Sequence, residues 1–314
     1  MALALLAGCG TLVSYLWVRG VDDGLKREDP FGALEDRPAK VVDGAMNILL
    51  LGSDSRDPEH SSDGVTGERT DTIVIAHIPA SQDKVYLVSL PRDLWVHVPR
   101  SPDGTAGDTT AKINAAYAWG GTPLMVATVE EYTGVRIDHV VKIDFAGFVR
   151  VTNAVGGVDM VVEQGFTSIH PPYRVFDAGT HHLNGEEALD YVRQRYQFAD
   201  GDFARIRHQQ EFLKALVDKA ASAGTLANIG NLRALVTSVA DAMTVDQSFS
   251  LVDVLWQFRG LRSEDLVFLT SPHTGTGMAG GQSVVFSDRE KALSLYQAMA
   301  ADTMGDWVSA HGTD

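Results

Sequence analysis

Cysteine and positive charge are both scarce in this sequence. Its 314 residues include a single cysteine, Cys9, so the chain after it has neither a thiol nor a disulfide. That usage is compatible with either side of a membrane. Lysine and arginine total 26 against 41 aspartates and glutamates, and the formal net charge is −15. Because neutralised phosphates supply most non-specific nucleic-acid affinity, such an acidic chain is not expected to bind nucleic acid.

Charge is also missing from the first 18 residues, and with it the basic stretch that precedes a cleaved signal. This apolar run is about long enough to cross a bilayer, with Trp17 and Arg19 at its far interface. A cleaved signal peptide and a lipoprotein signal ending at Cys9 are the alternatives, but both need an upstream basic stretch. We therefore predict a transmembrane anchor at 1–18 and a polar juxtamembrane linker at 19–44. A start codon assigned too late would reopen the choice between an anchor and the two kinds of signal. The charges that flank the apolar run do not determine the direction in which it would cross the membrane.

The remaining chain, residues 45–314, has the composition of a folded domain, because 45% of the sequence is hydrophobic. Short β-branched or leucine-rich runs predict strands at 47–53, 72–78, 84–90, 93–98, 138–144, 158–163 and 265–270, the first four in one sheet. Helical patterns occupy 113–119, 124–132, 145–154, 186–192, 232–243, 251–261 and 289–301. This irregular alternation predicts an α/β fold with a mixed central β-sheet flanked by helices. The sequence leaves open whether the helices after residue 220 form a separate small module.

Arginine is concentrated in one segment of this acidic chain, LNGEEALDYVRQRYQFADGDFARIRHQQ at 183–210. Arg193 and Arg195 are two residues apart, so an extended chain after the helix would aim both to one side, with Gln194 and Tyr196 facing away. A guanidinium group matches phosphate oxygens two at a time, and such a cluster predicts a diphosphate clamp. Pairing of these arginines with nearby surface carboxylates is the alternative.

A second helix is expected downstream of that segment, with Asp202 as its N-terminal cap. Arg205 and Gln209 would then lie one turn apart on one face of this helix. The four polar groups Arg193, Arg195, Arg205 and Gln209 can in this way converge on one anion.

Two aspartates flank the first pair of predicted strands. Asp54 directly follows the first strand and Asp71 directly precedes the second, so antiparallel pairing would bring both carboxylates to one edge. Ligands of open α/β sheets bind at such an edge, and two carboxylates together with phosphate oxygens suit Mg²⁺. Arg69 and Arg92 add positive charge nearby. Taken singly, each of the four is better explained as a turn aspartate or a surface arginine.

Six segments, in order, resemble the LytR-CpsA-Psr family: NILLLGSD (47–54), ERTDTIVIAHI (68–78), VSLPRDLWV (88–96), KINAAYAWGG (112–121), DHVVKIDFAGF (138–148) and the arginine segment. The resemblance covers at least 47 to about 220. It implies a single-pass protein of the cell membrane whose catalytic domain, 45–314, lies outside the cytoplasm. It also implies transfer of a glycopolymer from a polyprenyl diphosphate carrier onto peptidoglycan, which the anchor fits.

The resemblance also implies roles for individual residues. Asp54 and Asp71 match the acidic residues that hold Mg²⁺, and Gln209 matches a polar residue of the diphosphate site. The arginines around the diphosphate match Arg69, Arg92, Arg193, Arg195 and Arg205. The segment DGDFARIRHQQ departs from the family pattern D-x-D-F-G-R-x-x-R-Q-Q, because Ala204 replaces a glycine and His208 replaces the second arginine. Arg207 is a candidate to compensate, and His208 is either a proton carrier or, more commonly for a helix, a surface residue.

The implied reaction is a phosphoryl transfer, in which a muramic acid hydroxyl attacks and polyprenyl phosphate leaves. The general base is not visible in the sequence, and Asp71 is the nearest candidate. The implied prenyl groove can be lined by apolar residues of 124–129 and 145–151, which core packing explains equally well. A phosphohydrolase that uses water and a non-catalytic wall-binding or regulatory protein are the alternatives.

The Gly275–Gly280 segment has the spacing of a dinucleotide fingerprint, but a strand follows it, so we predict a hairpin loop.

Overall fold

The computed structural model describes residues 17, 19–53, 70–195, 197–198, 201–222, 229–258 and 262–313. The strands in this part of the chain are β1 (Lys26–Glu28), β2 (Met46–Ser53), β3 (Thr70–Ile78), β4 (Val85–Ser89), β5 (Trp95–Val98), β6 (Thr109–Lys112), β7 (His139–Asp144), β8 (Val158–Val162), β9 (Phe166–Thr167), β10 (Val175–Phe176), β11 (Gly179–Leu183), β12 (Met243–Asp246), β13 (Leu266–Thr270), β14 (His273–Ala279) and β15 (Gln282–Ser287). The helices are α1 (Ile113–Thr133), α2 (Phe145–Ala154), α3 (Gly185–Val192), α4 (Asp202–Ala220), α5 (Ile229–Ala242), α6 (Leu251–Phe258), α7 (Arg289–Ala300) and α8 (Met304–His311).

A seven-stranded mixed sheet, in the order β1-β12-β7-β2-β3-β4-β13, forms the centre of the fold. The strands β2, β3 and β4 pair antiparallel, whereas β2 pairs parallel with β7 and β4 pairs parallel with β13. The run NILLLGS produces a central strand because apolar residues on both of its faces can be buried at once. This sheet, flanked by helices, confirms the predicted α/β class.

The two faces of the sheet carry different layers of helices. Leu49 and Ile75 point into a core that α1, α7 and α8 complete. Ile48 and Ala76, one position away, point into a second core shared with α5 and α6. Adjacent residues of a strand face opposite sides, so the continuous apolar run serves both layers. A third cluster lies under α3 and α4, around Tyr191 and Phe212.

Three small sheets differ from what the sequence predicts. The predicted strand at 93–98 does not join the central sheet, because β5 pairs with the unpredicted β6. The predicted strand at 158–163 is present as β8, and it pairs with the unpredicted β11 in a separate two-stranded sheet. The glycine-rich Gly275–Gly280 segment is mostly strand rather than loop, since β14 pairs with β15 around a turn at Gly280 and Gly281. Phe286 packs over Gly277, which supplies the side-chain contact that the glycine lacks.

The predicted linker at 19–44 is partly built into the domain. Residues 19–23 are helical, and β1 adds an edge strand parallel to β12. Arg37 forms a two-point hydrogen bond with the buried Glu130, at 2.9 and 2.7 Å. No helix among the described residues has the length and apolarity needed to cross a membrane. The predicted anchor at 1–18 lies outside the described residues, apart from Trp17.

Candidate active site

A pocket of about 390 Å³ lies on the second face of the central sheet, between the sheet and helices α2, α3 and α4. Its lining joins charged groups to a longer apolar surface. The predicted site residues that line it are Asp71, Arg92, Arg193, Arg195, Arg205 and Gln209. Asp54 and Arg69 lie outside the described residues. Ser53 at the end of β2 pairs with Thr70 at the start of β3, so the two strands do run antiparallel at this edge.

The most deeply buried charges of the site form a network around Asp202. Arg92 binds the carboxylate of Asp71, and its Nε atom lies 3.8 Å from Asp202 Oδ1. Arg205, whose side chain is 4% exposed, places Nη2 2.6 Å from the same oxygen. Burial raises the pKa of Asp202, and the charges of Arg205 and Arg92 oppose that rise. Asp202 therefore sets the positions of two arginines on the pocket wall.

Asp202 was not among the predicted site residues. The sequence predicts it as a helix cap, but that prediction is wrong: Gly201 is the N-cap of α4 and Asp202 is its first residue. From this position its carboxylate reaches Arg205, three residues ahead, instead of a backbone N–H group. The three-residue spacing of opposite charges in the first turn is the signal that could have identified the pair.

Two buried donors of the network lack an acceptor in the part of the chain that the structure describes. They are the Nε atoms of Arg92 and Arg205. A buried donor without an acceptor costs about 1–3 kcal/mol, and more when the group is charged. Both carboxylate oxygens of Asp202, next to these donors, also lack a hydrogen-bond partner among the described residues. Four arginines line the charged end of the pocket, a composition that suits an anion, and this end is the candidate anion site.

Arg193 and Arg195 reach the pocket from the end of α3. Arg193 is the C-cap of that helix, and its guanidinium group lies 4.5 Å from the ring centre of Phe145. Both arginines line the pocket, whereas Gln194 between them is fully buried. Both arginines therefore share one side as predicted, but the extended conformation predicted for this segment is wrong at Arg193, which is helical. Tyr196 lies outside the described residues. Cation–π contact with Phe145 restricts the Arg193 side chain to the pocket side.

Gln194 holds this arginine turn against the segment between β9 and β10. Its Nε2 atom donates to Ser168 Oγ at 2.9 Å and to Asp190 Oδ1 at 2.8 Å. Its Oε1 atom accepts from the backbone N–H of Ile169 at 3.3 Å and from Gln197 at 2.5 Å. Ser168 Oγ in turn donates to Asp190 at 2.6 Å. Sequence reasoning missed this network, because its two halves are 26 residues apart.

One face of α4 supplies both polar and apolar lining. Arg205 and Gln209 are followed on that face by Phe212, Leu213 and Leu216, all of which line the pocket. The spacing of four, three, one and three residues keeps these side chains in a single stripe of the helix. The side chains of α4 that line the pocket are therefore polar at the anion site and apolar farther along the helix.

His208 and Arg207 of α4 do not take the positions that the sequence predicts for them. His208 is not a surface residue: it is 8% exposed, and its ring centre lies 4.6 Å from that of Tyr191 and 4.8 Å from that of Phe198. Arg207 is exposed and does not line the pocket. Arg207 is thus not positioned to replace the family arginine, and the histidine fills space between two aromatic rings.

The apolar part of the pocket combines sheet and helix residues. Phe145, Phe148 and Val151 of α2 line it, as the sequence predicts for 145–151. For 124–129 the alternative of core packing holds, because Leu124 and its neighbours in α1 belong to the core on the opposite face of the sheet. Local sequence cannot distinguish these cases, since both helices are apolar and only the sheet decides which side each one covers.

The donors at the pocket are compatible with Mg²⁺. The described residues contain no cluster of three or more potential ligands from His, Cys, Asp and Glu. Mg²⁺ needs no such cluster, because one or two carboxylates together with phosphate oxygens and water complete its shell. The Asp71 carboxylate, on the pocket wall beside the arginines, is a donor of the appropriate type.

Comparisons with known proteins agree on one family. The LytR_cpsA_psr family matches residues 15–301 of the chain. Similar proteins include the cell wall biosynthesis protein LcpA of Corynebacterium glutamicum, 30% identical over 82% of this chain and 56% of LcpA. The polyisoprenyl-teichoic acid–peptidoglycan teichoic acid transferase TagU of Enterococcus faecalis is 36% identical over 65% of this chain and 62% of TagU. The chain thus spans less than two thirds of the length of each of these two relatives.

A solved structure supports the same grouping. The crystal structure of B. subtilis TagV superposes with a TM-score of 0.68 and 27% identity, over 84% of this chain and 98% of that chain. A protein from Streptococcus agalactiae superposes with a TM-score of 0.72 over 82% of this chain and 88% of that chain, at 24% identity. At that identity the second comparison shows a shared fold alone.

Proposed function

The chain belongs to the LytR-CpsA-Psr family, and from this premise we propose that it is a glycopolymer transferase of cell-wall assembly. It would move a glycopolymer from a polyprenyl diphosphate carrier to a sugar hydroxyl of peptidoglycan. The main support for this proposal is the pocket, in which an arginine-rich anion site continues into an apolar cavity. A polyprenyl diphosphate has the same two parts, a polyanion joined to a long apolar chain. The relatives named as transferases of polyisoprenyl-linked teichoic acid to peptidoglycan support the proposal.

The described arginines can bind the diphosphate from two sides. Arg92 and Arg205 lie on one wall of the pocket, and Arg193 and Arg195 extend from the end of α3. Gln209 adds a polar group one turn after Arg205. Positive groups held rigidly around a phosphate stabilise charge that develops during transfer, because they need no reorientation in the transition state. The buried contacts of Asp202 and Gln194 provide that rigidity.

The reaction replaces one bond to phosphorus with another. The acceptor hydroxyl oxygen forms a bond to the phosphorus on the polymer side, and the bond from that phosphorus to the bridging oxygen breaks. Polyprenyl phosphate leaves with the bonding electrons, and the hydroxyl proton is the only one that must be removed. The products are a phosphodiester between polymer and wall and a prenyl monophosphate.

We propose Asp54 and Asp71 as the residues that hold Mg²⁺ in this site. Mg²⁺, when bound, would neutralise charge on the diphosphate oxygens. Arg92, which forms an ion pair with Asp71, holds that carboxylate on the pocket wall. Arg69 is proposed as a further diphosphate ligand from its match to the family pattern.

The location of the protein follows from its proposed substrates. Peptidoglycan lies outside the cytoplasm, so the catalytic domain would lie there as well. We propose that residues 1–18 anchor the chain in the cell membrane by a single pass. Such an anchor would keep the pocket close to the bilayer that contains the prenyl carrier.

Mass spectrometry of reaction products tests this proposal. The purified full chain would be incubated with Mg²⁺, a short polyprenyl-diphosphate glycan and peptidoglycan fragments. We expect a phosphodiester-linked adduct, reduced on the order of 10²-fold in Arg193→Ala because one transition-state contact is lost. Arg207→Ala is the matched control, since Arg207 is exposed outside the pocket. Release of glycan phosphate without an adduct would support a phosphohydrolase. Absence of any turnover would support a non-catalytic binding protein.

A further inference from the structure

One wall of the pocket is formed by a short hairpin that carries a histidine. The strands β9 and β10 pair antiparallel, and the segment 168–174 between them places Ile169 and His170 on the pocket wall. Phe166 stacks on Phe176 at 5.0 Å between ring centres, which fixes the hairpin on the third core cluster. His170 therefore faces the same space as the arginines of the anion site.

The backbone of His170 is fixed relative to Arg193. Its N–H group donates to Ser168 Oγ at 2.9 Å, and its carbonyl accepts from the N–H of Tyr173 at 2.7 Å. Ser168 is fully engaged with Asp190 and Gln194, the buried residues that precede and follow Arg193. A chain of short hydrogen bonds thus connects the histidine to the arginine turn.

The imidazole ring has no hydrogen-bonded partner among the residues that the structure describes. Other titratable groups at this end of the pocket, among the residues that the structure describes, are ion-paired or covered by aromatic rings, and Asp202 pairs with Arg205. Arg92 binds the carboxylate of Asp71, and His208 is packed between Tyr191 and Phe198. His170 is half-buried and lines the pocket that the arginines also line.

We propose that His170 is the catalytic residue that accepts the proton of the attacking sugar hydroxyl, an inference that rests on the transferase function proposed above. As the hydroxyl oxygen bonds to phosphorus, its proton moves to an imidazole nitrogen. The bond between that phosphorus and the bridging oxygen breaks, and the imidazolium returns the proton to the departing prenyl phosphate. The histidine is neutral before and after the cycle, and no further reactant is needed.

The charged surroundings of His170 suit a base. Burial, and then the charge of Arg193, lower the pKa of its imidazole below the ordinary value. Asp190 and Asp71 raise that pKa and partly offset the effect. The ring is accordingly neutral at neutral pH and able to accept a proton. Transfer should be lost as pH falls through this pKa, because the protonated ring is no longer a base.

Kinetics of the full chain with donor and peptidoglycan fragments tests the proposal. We expect His170→Gln to lower kcat for transfer on the order of 10²-fold or more, with donor KM changed by less than about threefold. The acid limb of the wild-type pH profile should disappear in this variant. Added imidazole should restore part of the activity of His170→Ala. His182→Gln is the control, because His182 lies on β11 and bonds Asp159 and the Gly156 carbonyl, outside the pocket.

Three results would overturn the assignment. They are a kcat for His170→Gln within about threefold of wild type, an unchanged acid limb, or no rescue by imidazole in a variant that melts like wild type. If His170→Gln does not fold, His170→Asn takes its place in the same assays. Absence of transfer by the wild-type protein would instead refute the transferase function, and this inference with it.

Discussion

Replacement of Gln194 by leucine should destabilise the protein and disturb the arginine turn. The side chain is fully buried and hydrogen bonds with Ser168, Asp190, Ile169 and Gln197. Leucine keeps most of the volume but removes the amide. The backbone N–H of Ile169 then loses its acceptor, and the buried Asp190 carboxylate loses a donor.

The expected loss in the free energy of unfolding is about 2–4 kcal/mol, because a buried group left without a partner costs about 1–3 kcal/mol. Asp190 retains its bonds from Ser168 and Arg174, which limits the loss. The assay is urea unfolding of the full chain, followed by circular dichroism. Gln282→Leu, at an exposed position of β15, is the control and should change stability by less than about 0.5 kcal/mol.

Function should change as well, because Arg193 and Arg195 are held on either side of Gln194. At temperatures where the variant remains folded, we expect a higher donor KM as well as a lower kcat. A stability loss below about 1 kcal/mol, with unchanged KM, would show that the hydrogen bonds of Gln194 do not position the arginines. The reasoning about the buried network would then be refuted.

Other perturbations follow from the same geometry. Arg205→Ala should lower the free energy of unfolding by about 3–5 kcal/mol, measured in urea, because Asp202 would stay buried without its closest cation. Val151→Trp should fill the apolar part of the pocket and raise KM for long prenyl donors more than for short ones, which a chain-length series would show. Chelation with EDTA should abolish transfer and added Mg²⁺ should restore it, as product analysis would reveal. Hydrogen bonds from His139 and Ser248 hold the pKa of the buried Asp246 at about 2 despite burial, below its ordinary 3.8. That difference stabilises the fold by about 2 kcal/mol above pH 4, a contribution lost as pH falls toward 2 and absent in Asp246→Asn, as urea titrations at each pH would show.

The central strands were predictable because their signal is local. A run such as NILLLGS has apolar residues at every position, and only burial on both faces satisfies such a run. The break in α1 at Gly120 and Gly121 lies in the gap between the helices predicted at 113–119 and 124–132. Arg193 and Arg195 share one side as predicted, although Arg193 is helical and not extended.

What the sequence did not reveal depends on distant partners. The strand β14 contains two glycines and becomes a strand because β15 pairs with it and Phe286 covers Gly277. Leu124 and Phe148 look alike in sequence, yet the sheet places them on opposite sides. Ser168 and Gln194 meet across 26 residues of chain, so no local pattern relates them.

The candidate site likewise has residues that the sequence indicated and residues that it did not. The concentration of arginine in one segment indicated Arg193, Arg195 and Arg205, and position beside the predicted strands indicated Asp71 and Arg92; all five line the pocket. The sequence did not indicate the contacts of Asp202 or the place of His170 on the pocket wall, because both depend on residues distant in the chain. The predicted surface position of His208 was wrong for a related reason: two aromatic rings from other segments cover it.

The central claim is that this pocket transfers a phosphorylated polymer from a prenyl carrier to a sugar hydroxyl. Phosphorus NMR of the full chain with a polyprenyl-diphosphate glycan and peptidoglycan fragments tests it most directly. We expect the diphosphate signals to be replaced by equal amounts of a phosphodiester and a prenyl monophosphate. Two monophosphates with no phosphodiester, or unchanged diphosphate signals, would contradict the account.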